Sequence, residues 1–487
     1  MMRKKNDFRF SLLHCLLAMG VFFTIAVSPA RAQKHWSELT YPPLRDIHVP
    51  DVDPFELPNG MKLYLLEDHS LPKVEGIALI RTGDRYEPAD KVGLASIVGQ
   101  VMRTGGTTKF PGDDINRLLE NAGAVVETGI GTSSASASIF ALKEDLPKTL
   151  EILADLLKNP VFPQDKIELA KVQEKTAISR RNDNVMGIAS REFIQLLYGS
   201  ESPYGRTTEY ATIDAITRED LVAFHAKYFH PNETVLGLWG DFDTDEVKAL
   251  VEKHFGAWER RAVEFPPLPE VPKAWKASVN FIPKDDVNQT NLRIGHLGGR
   301  RDDPDYFALQ LMSEILGGGF SSRLFKRIRT ELGLAYAASA SWGAGWDRPG
   351  SFFIFCNTKS ESTVQAAEEI LAVVRTITEE PVSEEELRVA KAGILNAFAF
   401  NFDTTSKIIG RMMTLDYYGY PRDFLQTYKA NIEKVTTKDI LKAAQKHIKP
   451  DKLIVLAVGR AEDFDKPLST LGEVTTIDIA IPEPKTN

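Results

Sequence analysis

The sequence predicts an α+β protein made of two homologous α/β sandwiches in a clamshell arrangement, each an antiparallel-rich sheet covered by helices. Three observations carry that prediction. The chain has 487 residues, too many for one compact core. Its second half repeats its first. Strand-like runs such as MKLYLLED, KVEGIALIRTG and SASASIFALK alternate with amphipathic helical stretches.

The repeat is read from three pairs of segments. TREDLVAFHAKYFHPNETVLGLWGD, from Thr217, aligns without a gap on TTKDILKAAQKHIKPDKLIVLAVGR, from Thr436, and pairs Pro231 with Pro450 and Gly240 with Gly459. Each copy reads as a Thr-capped helix that passes through proline into a continuous apolar strand. RTGDRYEP aligns on LGGRRDDP, pairing Gly83 with Gly299 and Pro88 with Pro304. PVFPQDKIELAK and PVSEEELRVAK are each a proline-marked loop entering a long helix, the second with Ser383 and Glu386 as a capping box. Further on, Val247, Leu250, Val251 and Phe255 share one helix face.

Domain bounds follow. Residues 45–262 and 276–487 form the two halves, and 263–275, VEFPPLPEVPKAW, is a Pro-rich linker expected to space the domains without packing them. Residues 1–32 read as a secretory signal: Arg3, Lys4, Lys5 and Arg9 precede an apolar run from Leu12 to Val27, and Ala30-Arg31-Ala32 predicts cleavage after Ala32. An uncleaved anchor is the alternative, although the apolar run is slightly short for a span. Residues 33–44 are an N-terminal extension.

Composition narrows the setting. Removing residues 1–32 takes away five basic residues and one acid, moving the net charge from -8 to about -12 and arguing against a nucleic-acid partner. Cys356, in SFFIFCNT, is then the one remaining cysteine and reads as a buried strand thiol. No internal disulfide and no later membrane-spanning run suit an exported protein of a bacterial periplasm. Outside the signal segment lie eight histidines, no two with i, i+4 spacing; they read as surface or helix-terminus residues rather than metal ligands.

The order of elements resembles the pitrilysin/insulinase family of zinc metallopeptidases, the inverzincins, which include mitochondrial processing peptidases. The resemblance rests on LPNGMKLYLLED at Leu57, the Gly83-Asp84-Arg85-Tyr86-Glu87 turn, YFHPNETVLGLWGD, and LGGGFSSRLFKRIRTELGLAY from Leu316. Active members carry H-x-x-E-H on a helix after a Gly-Leu-Ala entry, because residues i and i+4 share a face and can present two imidazoles to one Zn²⁺ while the glutamate polarises its water. In GLASIVGQVMRTGGT those five positions are Ser96, Ile97, Val98, Gly99 and Gln100. A gap-free count puts Thr176 or Ala177 where the downstream glutamate ligand would stand, with Glu174 expected off the required face. All the metal positions read as vacant.

In the second half the family pattern L-R-x-x-x-G-x-x-Y is similar to IRTELGLAY, which implies substrate and oxyanion contacts from Arg329 and Tyr336. On residue type alone, Arg329 reads as a helix-end charge near Glu331 and Tyr336 as a packing aromatic. Gly317-Gly318-Gly319 resembles a shortened glycine-rich substrate loop, or else a turn between helices. SASASIFALK is an internal strand or a peptide-pairing edge. The resemblance therefore implies a zinc-less subunit of a periplasmic metalloendopeptidase heterodimer, with no cofactor in this chain and zinc in an H-x-x-E-H-bearing homologous partner acting on peptides. The alternative is a pseudopeptidase scaffold or peptide-binding chaperone.

Overall fold

The computed structural model describes residues 52–268, 270–271 and 276–482. The signal segment 1–32, its cleavage site after Ala32 and the extension 33–44 lie outside the described residues, as do positions 269 and 272–275 of the linker.

Twelve strands form two six-stranded sheets. The first half contributes β1 (Phe55–Glu56), β2 (Lys62–Glu67), β3 (Lys73–Ile80), β4 (Val125–Ile130), β5 (Ala135–Leu142) and β6 (Thr234–Gly240). The second contributes β7 (Ser278–Pro283), β8 (Gln289–Leu297), β9 (Ala335–Gly343), β10 (Ser351–Lys359), β11 (Ile454–Gly459) and β12 (Val474–Thr476). The orders are β1-β2-β6-β3-β5-β4 and β12-β7-β11-β8-β10-β9, so the duplicated strands occupy equivalent places. β2 runs parallel to β6 and β7 to β11, while β3, β5, β8 and β10 pair antiparallel with their neighbours. The sheets are thus mixed but antiparallel-rich. SASASIFALK supplies β5, which is internal; the edge strand is β4.

Helices follow the capping signals. In the first half they are α1 (Leu94–Gly105), α2 (Gly112–Ala122), α3 (Leu146–Lys158), α4 (Gln164–Ser179), α5 (Val185–Tyr198), α6 (Tyr210–Asp214), α7 (Arg218–Tyr228) and α8 (Thr244–Phe255). In the second they are α9 (Tyr306–Gly317), α10 (Thr363–Glu379), α11 (Glu384–Phe398), α12 (Thr405–Tyr418), α13 (Phe424–Lys434) and α14 (Thr437–His447). Thr217 with Asp220, Thr436 with Asp439 and Ser383 with Glu386 all close capping boxes, which satisfy amide donors that a helix start leaves unpaired.

The halves are packed together, which corrects the expectation that the linker spaces them. Helix α5 of the first half lays Ile188, Ala189, Phe193 and Leu197 against Ile282, Leu297, Leu456 and Val458 of the second sheet. Reciprocally, α12 brings Ile409, Met412 and Met413 onto Tyr64, Val235 and Trp239 of the first sheet. This exchange explains the continuous apolar strands. β6 is buried along its whole length because its own half covers one face and α12 covers the other. Polar ties reinforce the junction: Lys62 pairs with Asp416 at 2.6 Å, and the Tyr198 hydroxyl donates to Pro349 O at 2.9 Å.

Candidate functional site

Helix α1 starts at a left-handed Gly93, φ 104°, and Glu87 from the preceding turn lies beneath its N-terminus. The Glu87 carboxylate accepts from the Gly93 and Ala95 amides at 3.1 and 2.9 Å. A helix N-terminus favours a negative charge there. Burial nonetheless dominates and raises the carboxyl pKa to about 7.

Ser96 and Gln100 share the face of α1 that meets α4, as i, i+4 spacing requires. Ser96 Oγ donates to Glu174 Oε1 at 2.6 Å, and the Gln100 amide donates to Gln173 Oε1. The residue opposite Ser96 is therefore Glu174. This corrects the expectation that Glu174 lies off that face; Thr176 is exposed and its hydroxyl donates back to Val172 O at 2.8 Å, while Ala177, the other position the count gave, lines the same cleft as Ser96 and Glu174. Helical periodicity is the signal that finds Glu174. Ile167, Ala170 and Ile178 form the buried stripe of α4, and Glu174 falls on that stripe four residues from both Ala170 and Ile178.

Gly99, at the place of the family's catalytic glutamate, is closed off as well as bare. Its carbonyl accepts from Thr128 Oγ1 at 2.6 Å, and a methyl group on its Cα would lie 2.7 Å from Ile130 N and 2.9 Å from Gly129 Cα. Strand β4 occupies the space a side chain would need. The cleft of about 410 Å³ beside these residues is lined by Asp84, Glu87, Ser96, Glu174, Arg191 and Arg206. It offers carboxylates and guanidiniums but no imidazole, so the residues of α1 and α4 do not fit a zinc centre.

The described histidines stand elsewhere. His296 is buried and His225 half-buried, desolvation lowers each pKa to about 4, and their rings bond Leu297 O and Leu157 O. Asp303, Asp305 and His447 are grouped closely enough for a cation, but Lys446 Nζ already sits 2.6 Å from Asp305 Oδ2.

In the second half, Gly317 is the buried last residue of α9, and any side chain on it would overlap the Ala340 backbone. It is a packing residue, which corrects its place in a substrate loop; Gly318 and Gly319 lie in the exposed turn that follows. A π-helical turn, Phe325–Glu331, comes next, an irregularity that recurs at functional sites. It carries Arg329 into a stack: the guanidinium carbon is 4.4 Å from the Tyr336 ring centroid and 4.8 Å from that of Phe325. Phe320 meets Phe325 edge-on at 5.0 Å. Phe320 and Tyr336 are 79% and 80% exposed, unusual for aromatics of this size. Glu331 pairs with Arg327 at 3.0 Å rather than with Arg329, and Arg323 is tied to Glu386. Among the described residues Arg329 has no carboxylate partner, so its N–H groups remain available on an aromatic platform.

Residues 65–193 match a family model described as insulinase (peptidase family M16), and residues 215–394 match one described as the peptidase M16 inactive domain. Together these spans exceed half of the chain. A Rickettsia felis protein named as an uncharacterized zinc protease is 27% identical over 343 residues, which cover 69% of this chain and 80% of that one. A Helicobacter pylori protein named as the non-peptidase homolog YmxG is 25% identical over 378 residues, covering 77% of this chain and 86% of the other. Among solved structures, a peptidase M16 inactive domain from Pseudomonas fluorescens superposes with a TM-score of 0.77 at 24% identity, over 86% of this chain and 100% of that one.

Proposed function

Because this chain belongs to the insulinase (M16) peptidase family but lacks the family's zinc-binding and base residues, we propose that it is the non-catalytic subunit of a periplasmic metalloendopeptidase. The observation that carries this reading is the contrast between its halves. The first has Ser96, Gly99 and Gln100 where metal chemistry would be, with β4 closed against Gly99. The second keeps Arg329 without an acid partner, stacked between Phe325 and the exposed Tyr336.

In this reading Arg329 donates to a peptide carbonyl, because a guanidinium stays charged at every working pH and its planar fork is held in place by the two rings. The Tyr336 hydroxyl donates to the oxyanion that develops during hydrolysis in the partner's site. The zinc belongs to a homologous partner bearing H-x-x-E-H, and the pair is a heterodimer acting on peptides. Export rests on the N-terminal segment 1–32, and no helix among the described residues is long and apolar enough to cross a membrane.

The test is cleavage of a quenched-fluorescent peptide library by this chain, by the H-x-x-E-H homologue exported from the same genome, and by their mixture, with zinc assayed in each. The mixture is expected to cleave, this chain alone to be inert and metal-free, and Arg329→Ala to abolish cleavage while the pair stays assembled. Turnover by this chain alone refutes the reading. No cleavage by either preparation leaves the peptide-binding scaffold, for which the exposed Phe320 and Tyr336 would be the contact surface.

A further inference from the structure

A second cleft, in the other half, is used by none of these roles. It has a volume of about 590 Å³ and is lined by Arg301, Tyr306, Trp346, Phe398, Arg411 and Tyr428. Internal duplication locates its origin. Arg301 stands in the RRDDP turn where Arg85 stands in the first half, and Arg411 is the seventh residue of α12 as Arg191 is the seventh of α5.

The charges have not been copied. Arg85 pairs with Asp347, and Arg191 with Glu192 at 2.7 Å. Among the described residues neither Arg301 nor Arg411 has a carboxylate partner. Arg301 donates from Nη1 to the Tyr306 hydroxyl at 3.1 Å, its Nε is buried without a hydrogen-bond partner, and its guanidinium carbon lies 4.2 Å from the Trp346 ring centroid. Arg411 bonds only the Asn401 amide oxygen; burial, and then the charge of Arg301, push its pKa down. The nearby acids are engaged elsewhere, Asp302 by Arg300 at 2.6 Å and Asp305 by Lys446 at 2.6 Å. Lys407 on the cleft wall is neutralised by Asp403 at 2.8 Å.

Two half-buried guanidiniums that repel one another and have no carboxylate partner among the described residues are costly, and an anion between them removes the cost. The aromatic lining adds a requirement that a bare inorganic anion does not meet. We propose that this cleft binds an organic monocarboxylate with a flat apolar body, the carboxylate held by Arg301 and Arg411 and the body lying within the aromatic-walled cleft. Planar forks hold carboxylates in two parallel hydrogen bonds, and the Tyr306 and Tyr428 hydroxyls supply further donors. The chemistry is shared by the free C-terminus of a peptide ending in an aromatic residue and by a small aromatic acid. Neither Arg329 nor Tyr336 is among the residues that line the cleft.

The experiment is isothermal titration of the full chain with 3-phenylpropionate, with an acetylated peptide ending in phenylalanine, with the same peptide as its C-terminal amide, and with inorganic phosphate. At least one of the two carboxylates is expected to bind, with the amide and phosphate at least tenfold weaker. Which carboxylate binds identifies the source. Arg411→Gln is expected to weaken binding tenfold or more, while Arg375→Gln, on an exposed face, leaves it unchanged. Equal binding of phosphate or of the amide, or no binding by either carboxylate, overturns the proposal. Arg411→Met supplies a readout without ligand. Its melting midpoint is expected to equal or exceed that of the parent, and a fall of more than about 5 °C would show the arginine to be a structural group and overturn the argument.

Discussion

Ser96 Oγ and Glu174 Oε1 lie 2.6 Å apart, joining α1 to α4 by a side-chain hydrogen bond at the mouth of a cleft. Next to it, the backbone of β4 lies against Gly99. The loss of metal chemistry is thus built into the packing of three elements and extends beyond the substituted side chains.

Restoring the motif is therefore expected to fail. Ser96→His with Gly99→Glu and Gln100→His places a side chain at 99 whose Cβ would lie 2.7 Å from Ile130 N. Gly99→Ala alone should cost roughly 1–3 kcal/mol by overpacking, read from urea denaturation. A neutral Gly99→Ala would mean that β4 can withdraw and that the site is closed only by its residue types.

Arg329→Ala and Tyr336→Phe should leave the fold intact, since the Tyr336 ring is 80% exposed and the stack contributes only about 0.5–1 kcal/mol at such a site. In the two-subunit peptidase assay, Arg329→Ala should abolish cleavage, and Tyr336→Phe should lower kcat/KM by roughly 10² or more, as removal of an oxyanion donor does. Tyr336→Phe keeps the ring under Arg329 and loses only the hydroxyl. A larger effect of Tyr336→Ala than of Tyr336→Phe would assign part of the role to the platform.

Arg323 and Glu386 form a bidentate pair at 2.7 and 3.0 Å that anchors the turn carrying Arg329 to α11. The guanidinium and the Ser383 cap lower the Glu386 pKa to about 2. A carboxyl held below its unfolded value of 4.5 contributes stability that is present above pH 4.5 and lost as pH falls towards 2. Glu386→Gln should therefore cost about 1 kcal/mol at pH 7 and converge on the parent only as pH falls through about 2. A constant difference across pH-dependent denaturation curves would contradict this assignment.

Reciprocal packing of α5 and α12 makes each half depend on the other. Phe193→Ala should cost about 3–5 kcal/mol, although Phe193 belongs to the first half and packs on the second sheet. Cleavage within 263–275 should leave one particle on gel filtration, melting in a single transition. Separation of the fragments, each remaining folded, would show the exchange to be dispensable.

Local signals are legible in the chain itself. The capped helix starts at Thr217, Ser383 and Thr436, the strand at β3 and the duplication of segments all follow from period and spacing. Arg329 and Tyr336 were singled out by the resemblance of IRTELGLAY, and the structure sets the guanidinium 4.4 Å from the ring centroid. Glu174 was expected off the face that meets Ser96 because a gap-free count measures distance along the chain, whereas the contact is set by the angle around α4.

By itself the sequence determined two α+β halves of common plan and the loss of every imidazole from α1, since residue type and periodicity act locally. Tertiary structure alone decided how those halves meet, that β4 fills the space beside Gly99, and that Arg301 and Arg411 line one cleft with no carboxylate partner among the described residues. Each of these depends on residues far apart in the chain, and their meeting is decided by which apolar faces find cover. The same continuous strands, β6 and β11, could have been covered by any apolar helix, and only packing selected α12 and α5.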